Sequence, residues 1–371
     1  MRVALVHEWL QAYAGSEKVL SAVAEVYPDA PIHTLVHEPA GFRGTPLEGR
    51  TVHTTALQKL PGGKRFRPAF LPWMPKLIET LDVRGADVVF SSSHCVAKGV
   101  LTRADQLHIS YVHSPMRYAW DLTHEYLDAL TGVRSLAKPY VRRQFHTLRQ
   151  WDALSAMRVD HFLANSRTVA RRIAKTYRRD ATVIYPPVDV ERFDPTQPRE
   201  DFCLLVSRMV PYKRVEAVVE AFAMNGEPLV VIGDGPGMAR CRSLAAGKAN
   251  IKLLGAADDA VVADHMARCK AFVFAADEDF GITPVEAMAA GAPVVALSRG
   301  GTGETVVDGV TGVHFHEQTA PAIAQAVSMF VRRAGEFDPA AIRRHAEGFS
   351  RQRFLEEIES YVTGAWERFE Q

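Results

Sequence analysis

Glu278-Asp-Phe-Gly-Ile-Thr-Pro-Val-Glu286 is the stretch on which the reading of this chain turns. It lies between an apolar run, Ala271 to Ala275, and a helical pattern opening at Pro284. A buried strand, a Gly-containing turn and a Pro-initiated helix leave free backbone N–H groups at a helix N-terminus, where anionic phosphate is stabilised. One carboxylate in the loop, and a second expected in the first helical turn, can accept hydrogen bonds from different hydroxyls of one ligand. Phosphate together with a polyol describes a sugar nucleotide. The plainer alternative is a βα turn whose Glu286 merely favours the helix dipole.

The same alternation continues outward on both sides. Upstream, Phe202 to Val206, Leu229 to Ile232 and Ile251 to Leu254 read as strands, and downstream Pro293 to Leu297 does so. Between them stand helical patterns such as Val215, Val218, Val219 and Phe222. Before Tyr185, a second series holds Arg2 to Val6, Asp87 to Phe90, Ile109 to Val112 and His161 to Ala164. Ser16 is placed to cap the first helix, with Val19, Leu20, Val23, Val26 and Tyr27 at helical spacing. Continuous apolar strands suit parallel sheets covered on both faces. Pro186, Pro187, Pro195 and Pro198 mark a stiff linker, and Ser350 to Gln371 reads as a closing amphipathic helix. The expectation is an α/β chain of two doubly wound units, with chemistry at the carboxyl ends of the strands in a cleft between them.

Composition narrows the function. The chain has 371 residues, 47% hydrophobic and 23% charged, which suits two or three globular domains. A net charge of +1 argues against a dedicated nucleic-acid binder. Cys95, Cys203, Cys241 and Cys269 have no paired spacing, so neither a zinc site nor a disulfide framework is implied, and a cytoplasmic location fits. The run Met1 to Leu10 is broken by His7 and Glu8, too polar for a secretory signal, and no stretch of 18 apolar residues exists.

Four segments at strand ends carry candidate chemistry. Tyr13-Ala-Gly15-Ser-Glu17 allows close backbone approach to a phosphate. His113, directly after a strand, could bond a hydroxyl from a cleft. Arg208 and Lys213, the latter near the expected start of the next helix, could neutralise a diphosphate without metal. The fourth is the opening stretch, whose Asp277-Glu278-Asp279 triplet also has the form of a divalent-cation motif; with two cations nearby, a metal is not expected. His314 and His316 read as alternation on a strand.

In this order these elements resemble the family-four glycosyltransferases, retaining enzymes of the GT-B fold. The resemblance rests on Ala14-Gly15-Ser-Glu17, His113-Ser-Pro, Ala164-Asn165-Ser166, Ser207-Arg208 with Lys213, Gly233-Asp-Gly-Pro236, Glu278 with Glu286-Ala-Met-Ala, Gly291-Ala-Pro-Val-Val and Asp308-Gly-Val-Thr-Gly312. It covers nearly the whole chain. His113-Ser-Pro-Met-Arg-Tyr-Ala-Trp-Asp121 is similar to the branch of bacterial O-antigen mannosyltransferases, which implies GDP-mannose. The chain departs from the family at Ala14, where Gly is frequent, and at Asp279, where Gly usually follows the first glutamate.

The resemblance implies two Rossmann-like domains facing across a cleft. Residues 1–188 would bind acceptor, with helix 350–371 packing back on them, and residues 189–349 would bind the nucleotide sugar. It implies that Arg208 and Lys213 grip the donor diphosphate and that Glu286 takes the ribose. Glu278 and the amides of Phe280, Gly281, Ile282 and Thr283 would hold the sugar, with Gly15 and Gly233 also on the donor. His113 would lie near the reacting carbon, and Glu17, Arg117, Tyr118 and Asn165 would fall on the acceptor side. No cofactor or metal is implied beyond the nucleotide-sugar substrate. The implied reaction moves mannose to a lipid-linked or saccharide acceptor in bacterial cell-surface polysaccharide synthesis. The alternatives are a glucosyl- or N-acetylglucosaminyltransferase using a UDP-sugar, a sugar-nucleotide epimerase, or a non-catalytic sugar-nucleotide or membrane-binding module.

Two acid-free basic runs bear on location. Leu57 to Ile78 mixes Lys59, Lys64, Arg65, Arg67 and Lys76 with Phe66, Phe70, Leu71, Trp73 and Met74; the other holds Arg134, Lys138, Arg142, Arg143 and Arg149. Such surfaces suit an anionic membrane, which implies a peripheral protein on the inner face of the cytoplasmic membrane.

Overall fold

The computed structural model describes residues 1–60 and 70–371; Lys64, Arg65, Phe66 and Arg67 of the first basic run lie outside them. The chain divides into two compact units, Met1–Tyr185 with Phe354–Gln371, and Pro186–Arg353.

The first unit is built on a parallel sheet of β1 (Val3–His7), β2 (Ile32–Thr34), β3 (Val52–Thr54), β4 (Val88–Ser93), β5 (Leu107–Val112), β6 (His161–Ala164) and β7 (Thr182–Val183). Their order is β3-β2-β1-β4-β5-β6-β7, so the direction of winding reverses between β1 and β4. Alternate residues of a strand face opposite sides. Val3, Leu5, Phe90 and Ile109 accordingly pack with Val19, Leu20 and Val23 of the helix Gly15–Val26, while Ala4, Val6 and Val89 pack with Ile78, Phe145 and Leu148. The last helix, Arg351–Phe369, sends Phe354, Ile358, Val362 and Ala365 into the first of these cores. The Phe354 ring meets Tyr111 of β5 edge-on at 5.9 Å.

The second unit repeats the plan with β8 (Cys203–Val206), β9 (Leu229–Ile232), β10 (Ile251–Gly255), β11 (Ala271–Phe274), β12 (Val294–Leu297) and β13 (Gly312–Phe315). All pairings are parallel, in the order β10-β9-β8-β11-β12-β13, with the reversal between β8 and β11. Among the described residues, no helix is long and apolar enough to cross a membrane.

Several local expectations need correction. The first helix begins at Gly15 and its cap position is Ala14, not Ser16, because the Glu17 carboxylate turns back to accept from the Ala14 N–H at 3.2 Å. The helix after β8 starts at Val215; Lys213 ends a short 3-10 turn, and Arg214 takes a left-handed conformation that separates the two. The proline segment after Tyr185 is packed rather than a bare linker. Val188 pairs with Ser350 in a bridge, and Val188, Val190 and Phe193 are buried. The division therefore falls after residues 185 and 353, where residues 188 and 349 were expected.

Candidate functional site

In open parallel sheets the crevice for ligands opens where the strand order reverses, at the carboxyl ends. Each unit places charged and polar residues there.

In the second unit the loops leaving β8 and β9 are zipped together. Ser207 donates to Ile232 O at 3.0 Å, Met209 to Asp234 O at 2.9 Å and Gly237 to Met209 O at 3.0 Å. Gly233 sits at φ 135, and a Cβ there would strike the Ser207 carbonyl, so its role is to let these two backbones touch. Arg208 is exposed on this loop. Lys213 reaches across the reversal point to β11's loop, where its ammonium pairs with Glu278 Oε1. That ammonium also lies 5.5 Å from the Tyr212 ring centroid and 5.7 Å from that of Phe274. Both partners are largely shielded, with 16% and 21% of their side chains exposed.

The Glu278 loop is fixed from beneath. Its carbonyl accepts from Gly301 N–H at 2.8 Å, and Phe280 is buried with its ring 5.8 Å from that of Phe349. Gly281, at φ 82, turns the chain into the helix Ile282–Ala289. That helix opens at Ile282, two residues before Pro284, so Thr283 lies in its first turn and Glu286 in the second. The segment thus offers amide donors beside an ammonium and a carboxylate, which can meet an anionic group and hydroxyls together. Among the described residues, no group of three or more His, Cys, Asp or Glu side chains is arranged to hold a metal ion. His314 lies on β13, with Nε2 3.3 Å from Thr302 O, whereas His316 follows the strand, its Nδ1 2.7 Å from Ser298 Oγ.

In the first unit, His7 and Glu8 at the end of β1 face Ser92, Ser93 and His94 at the end of β4. Glu8 is fully buried. Its Oε1 accepts from Ser93 Oγ (3.1 Å) and from the amides of His94 (2.8 Å), Cys95 (2.8 Å) and Ala97 (3.2 Å). Its Oε2 faces His94 Nδ1 at 3.2 Å. Burial alone would raise this carboxyl's pKa, but His94, His7 and the amides outweigh it and hold the group far below the usual carboxylate range.

His113 follows β5. Its Nε2 lies 2.9 Å from Ser92 Oγ, and its carbonyl accepts from Asn165 Nδ2 at 3.0 Å. Its side chain keeps some access to solvent, yet burial and the imidazoles of His94 and His7 push its pKa down to about 3, so the ring is neutral at physiological pH. Glu17, at the start of the helix Gly15–Val26, contacts His7 Nε2 at 3.4 Å. Burial raises its pKa, and the His7 interaction reverses that to a net lowering.

Gly15, Glu17, His113 and Asn165 thus belong to one neighbourhood, and Arg208, Lys213, Gly233, Glu278, Phe280, Gly281, Ile282, Thr283 and Glu286 to another. Tyr118 takes a different course: its hydroxyl is 3.0 Å from Cys95 Sγ and its ring packs against Tyr126 and Phe145. Arg117 precedes it on the same half-buried segment. All four cysteines are buried free thiols.

Sequence reasoning missed His7, Glu8, Ser92 and His94 as site residues. The signal was present: two apolar strands each end in polar residues, His7-Glu8 and Ser91-Ser-Ser-His94, and the strands are neighbours. A second buried network was also missed. Lys98 Nζ donates to Asp152 Oδ1 (2.6 Å), Asp152 O (2.9 Å) and Ser155 Oγ (2.7 Å). Asp152 Oδ2 accepts from Trp120 Nε1 (2.7 Å) and Tyr177 OH (2.9 Å).

Residues 13–192 match the model for Glycosyltransferase Family 4, and residues 189–341 match that for Glycosyl transferases group 1. The chain is 32% identical over 251 residues to a D-inositol 3-phosphate glycosyltransferase of Geodermatophilus obscurus, an alignment covering 56% of this chain and 53% of that protein. It is 30% identical over 157 residues to an uncharacterized glycosyltransferase of Methanocaldococcus jannaschii, covering 42% and 44%. The chain therefore spans about half the length of the curated relatives it matches. Among solved structures, Anabaena HepE in complex with UDP aligns with a TM-score of 0.76 at 18% identity, covering 98% of this chain and 100% of that one. The lipopolysaccharide outer core galactosyltransferase WaaB in its apo form gives 0.68 at 16% identity, covering 98% and 100%. These likenesses establish the fold as GT-B.

Proposed function

We propose that this chain, matched over residues 13–192 by the model for Glycosyltransferase Family 4 and over residues 189–341 by that for Glycosyl transferases group 1, moves a hexose from a nucleotide sugar, GDP-mannose, to a lipid-linked or saccharide acceptor with retention and without metal. The observation that carries the proposal is the Lys213–Glu278 pair at the strand reversal of the second unit, beside the amides that open the helix Ile282–Ala289. The pair keeps two shielded charges compensated. A bound donor separates them by substitution: its diphosphate takes Lys213 and Arg208, and its sugar hydroxyls take Glu278. Glu286 serves the ribose and His113 a hydroxyl of the transferred sugar.

Rupture of the sugar–phosphate bond places oxocarbenium character on the sugar and negative charge on the departing diphosphate. Preorganised cations and helix amides strengthen as that charge grows. Front-face attack then delivers the acceptor oxygen to the side the diphosphate leaves, and a phosphate oxygen removes the acceptor proton.

A thermal-shift and turnover panel tests the donor. GDP-mannose at about 100 times its Kd is expected to stabilise the protein by ~2.7 kcal/mol, more than UDP-glucose or UDP-N-acetylglucosamine at equal concentration. Transfer to a lipid-linked acceptor is expected to survive EDTA and give the anomer of the donor. A larger response to a UDP-sugar reassigns the donor, and no response to any nucleotide sugar ends the proposal.

The acceptor side of the proposal includes an anionic membrane surface. Val133 and Leu136 are 85% and 81% exposed, and Arg134, Lys138, Arg142 and Arg143 lie in and after the same turn. Apolar tips set among cations suit the headgroup boundary of an anionic bilayer. The protein is expected to float with phosphatidylglycerol vesicles and not with phosphatidylcholine vesicles, and Val133→Asp with Leu136→Asp is expected to abolish flotation. Equal recovery with both vesicles would rule the surface out.

A further inference from the structure

The polar atoms between His113 and Glu17 form an unbroken chain. His113 Nε2 lies 2.9 Å from Ser92 Oγ, Ser92 Oγ lies 3.1 Å from His7 Nδ1, and His7 Nε2 lies 3.4 Å from Glu17 Oε1. Glu17 Oε2 is held in turn by Ala14 N–H at 3.2 Å and Ser16 Oγ at 3.0 Å. His7, Ser92 and Glu17 are all buried.

The direction of these bonds follows from what each atom can do. His7 Nδ1 also lies 3.1 Å from the Ser92 carbonyl oxygen, which only accepts. Nδ1 of His7 therefore carries hydrogen, shared between Ser92 O and Ser92 Oγ, and because the Glu17 carboxylate facing Nε2 also only accepts, Nε2 carries hydrogen as well and the His7 ring is an imidazolium paired with Glu17. The hydroxyl of Ser92 has one hydrogen, and with its oxygen accepting from His7 that hydrogen goes to His113 Nε2. A ring that accepts at Nε2 and is neutral bears its proton on Nδ1. Among the described residues, Nδ1 of His113 has no partner, so this N–H remains available to a ligand.

We propose that Glu17, His7 and Ser92 are positioning residues that hold His113 in the Nδ1–H tautomer, presenting Nδ1 as a hydrogen-bond donor to an oxygen of the bound ligand. The identity of that oxygen, a hydroxyl of the transferred sugar, rests on the proposed function; the tautomer does not. Groups on the neighbouring elements are compatible with a neutral donor. His94 stands with its ring 6.2 Å away, Tyr111 with its ring 5.3 Å away, Asn165 bonds the His113 carbonyl, and Glu8 and Glu17 are held in their own networks. A solvated histidine side chain favours the opposite, Nε2–H tautomer, so the arrangement has a distinct spectroscopic signature.

The test uses the full chain labelled with 15N-histidine, with two-bond proton–nitrogen correlation spectra from pH 6 to 8 and His113 assigned by its loss in His113→Gln. The wild-type spectrum is expected to show His113 Nε2 as an unprotonated, pyridine-like nitrogen and Nδ1 as protonated, with no change over that range. Ser92→Ala is expected to move His113 toward Nε2–H, and Ser92→Thr to keep the wild-type pattern. A wild-type His113 protonated at Nε2 overturns the proposal without reference to any variant, as does a Ser92→Ala spectrum identical to wild type. Loss or retention of sugar transfer bears on the proposed function alone, so the two readings fail separately.

Discussion

Replacing Lys213 by alanine is expected to lower kcat/KM for the nucleotide sugar by about 10²–10³, equivalent to ~2.7–4 kcal/mol of lost transition-state stabilisation. The size follows from placement. Lys213 lies at the strand reversal of the second sheet, largely shielded, where Coulomb attraction to a departing diphosphate is stronger than in bulk water. Its removal also leaves Glu278 without its ammonium partner, so a second negative charge stands uncompensated beside the phosphates. Lys213→Arg is expected to recover little, because a planar guanidinium cannot take the compact position between the Glu278 carboxylate and the Tyr212 and Phe274 rings. Steady-state kinetics on a variant with an unchanged circular dichroism spectrum and melting temperature provides the check. A loss of less than about fivefold would show that Lys213 does not meet developing charge.

The largest effect on stability is expected at Lys98. Lys98→Met keeps the aliphatic stem but removes the ammonium from a site where Lys98 is 1% and the Asp152 side chain 0% exposed. Breaking one partner of a buried, fully hydrogen-bonded pair costs about 3–5 kcal/mol, because the remaining charge keeps its desolvation penalty and loses its compensation. Asp152 would retain the Trp120 and Tyr177 donors, which lessens the penalty without neutralising the carboxylate. Adding Asp152→Asn to Lys98→Met is therefore expected to recover part of the loss. Urea unfolding followed by tryptophan fluorescence is well placed to measure this, since Trp120 and Trp151 both touch the network. A decrease of under about 1 kcal/mol for Lys98→Met would show that water or rearrangement solvates Asp152.

Most of the sheet strands that sequence reasoning located are apolar runs of four or more residues buried on both faces, with β10, buried only at Ile251, the exception. β6 and β9 coincide with the runs His161 to Ala164 and Leu229 to Ile232. Three strands of the first sheet escaped it: Ile32–Thr34 and Val52–Thr54 are three residues each and Thr182–Val183 two, too short for a periodic pattern. They lie on the flanks of the sheet, and tertiary pairing rather than local pattern defines them. Helix starts shifted by two residues for a local reason: Arg214 and Gly281 adopt left-handed backbone conformations, which the side-chain pattern does not announce.

In the second unit the candidate residues were legible because they fall in two short strand-end runs, residues 207–213 and 278–286, of unusual composition. The link from Lys213 to Glu278 spans two loops and depends on β8 and β11 being neighbours, which only the winding order reveals. The first unit hid more. Glu8 looked like an interruption of an apolar run, whereas its burial is made tolerable by donors 85 to 89 residues away. Lys98 offered no signal, since a lysine at a turn is ordinarily solvated.

The closing helix carries a consequence for biosynthesis. Phe354, Ile358, Val362 and Ala365 complete a core whose other members come from residues up to Ile184, and the whole of the second unit is encoded between them. On the ribosome, the earlier-made half must wait with an uncovered apolar face until the later half has emerged, and it completes its packing last. A chain ending just before Phe354 and tethered to the ribosome by a linker long enough to clear the exit tunnel should thus capture a folded second unit joined to an unfinished first one, a species that chaperones would recognise.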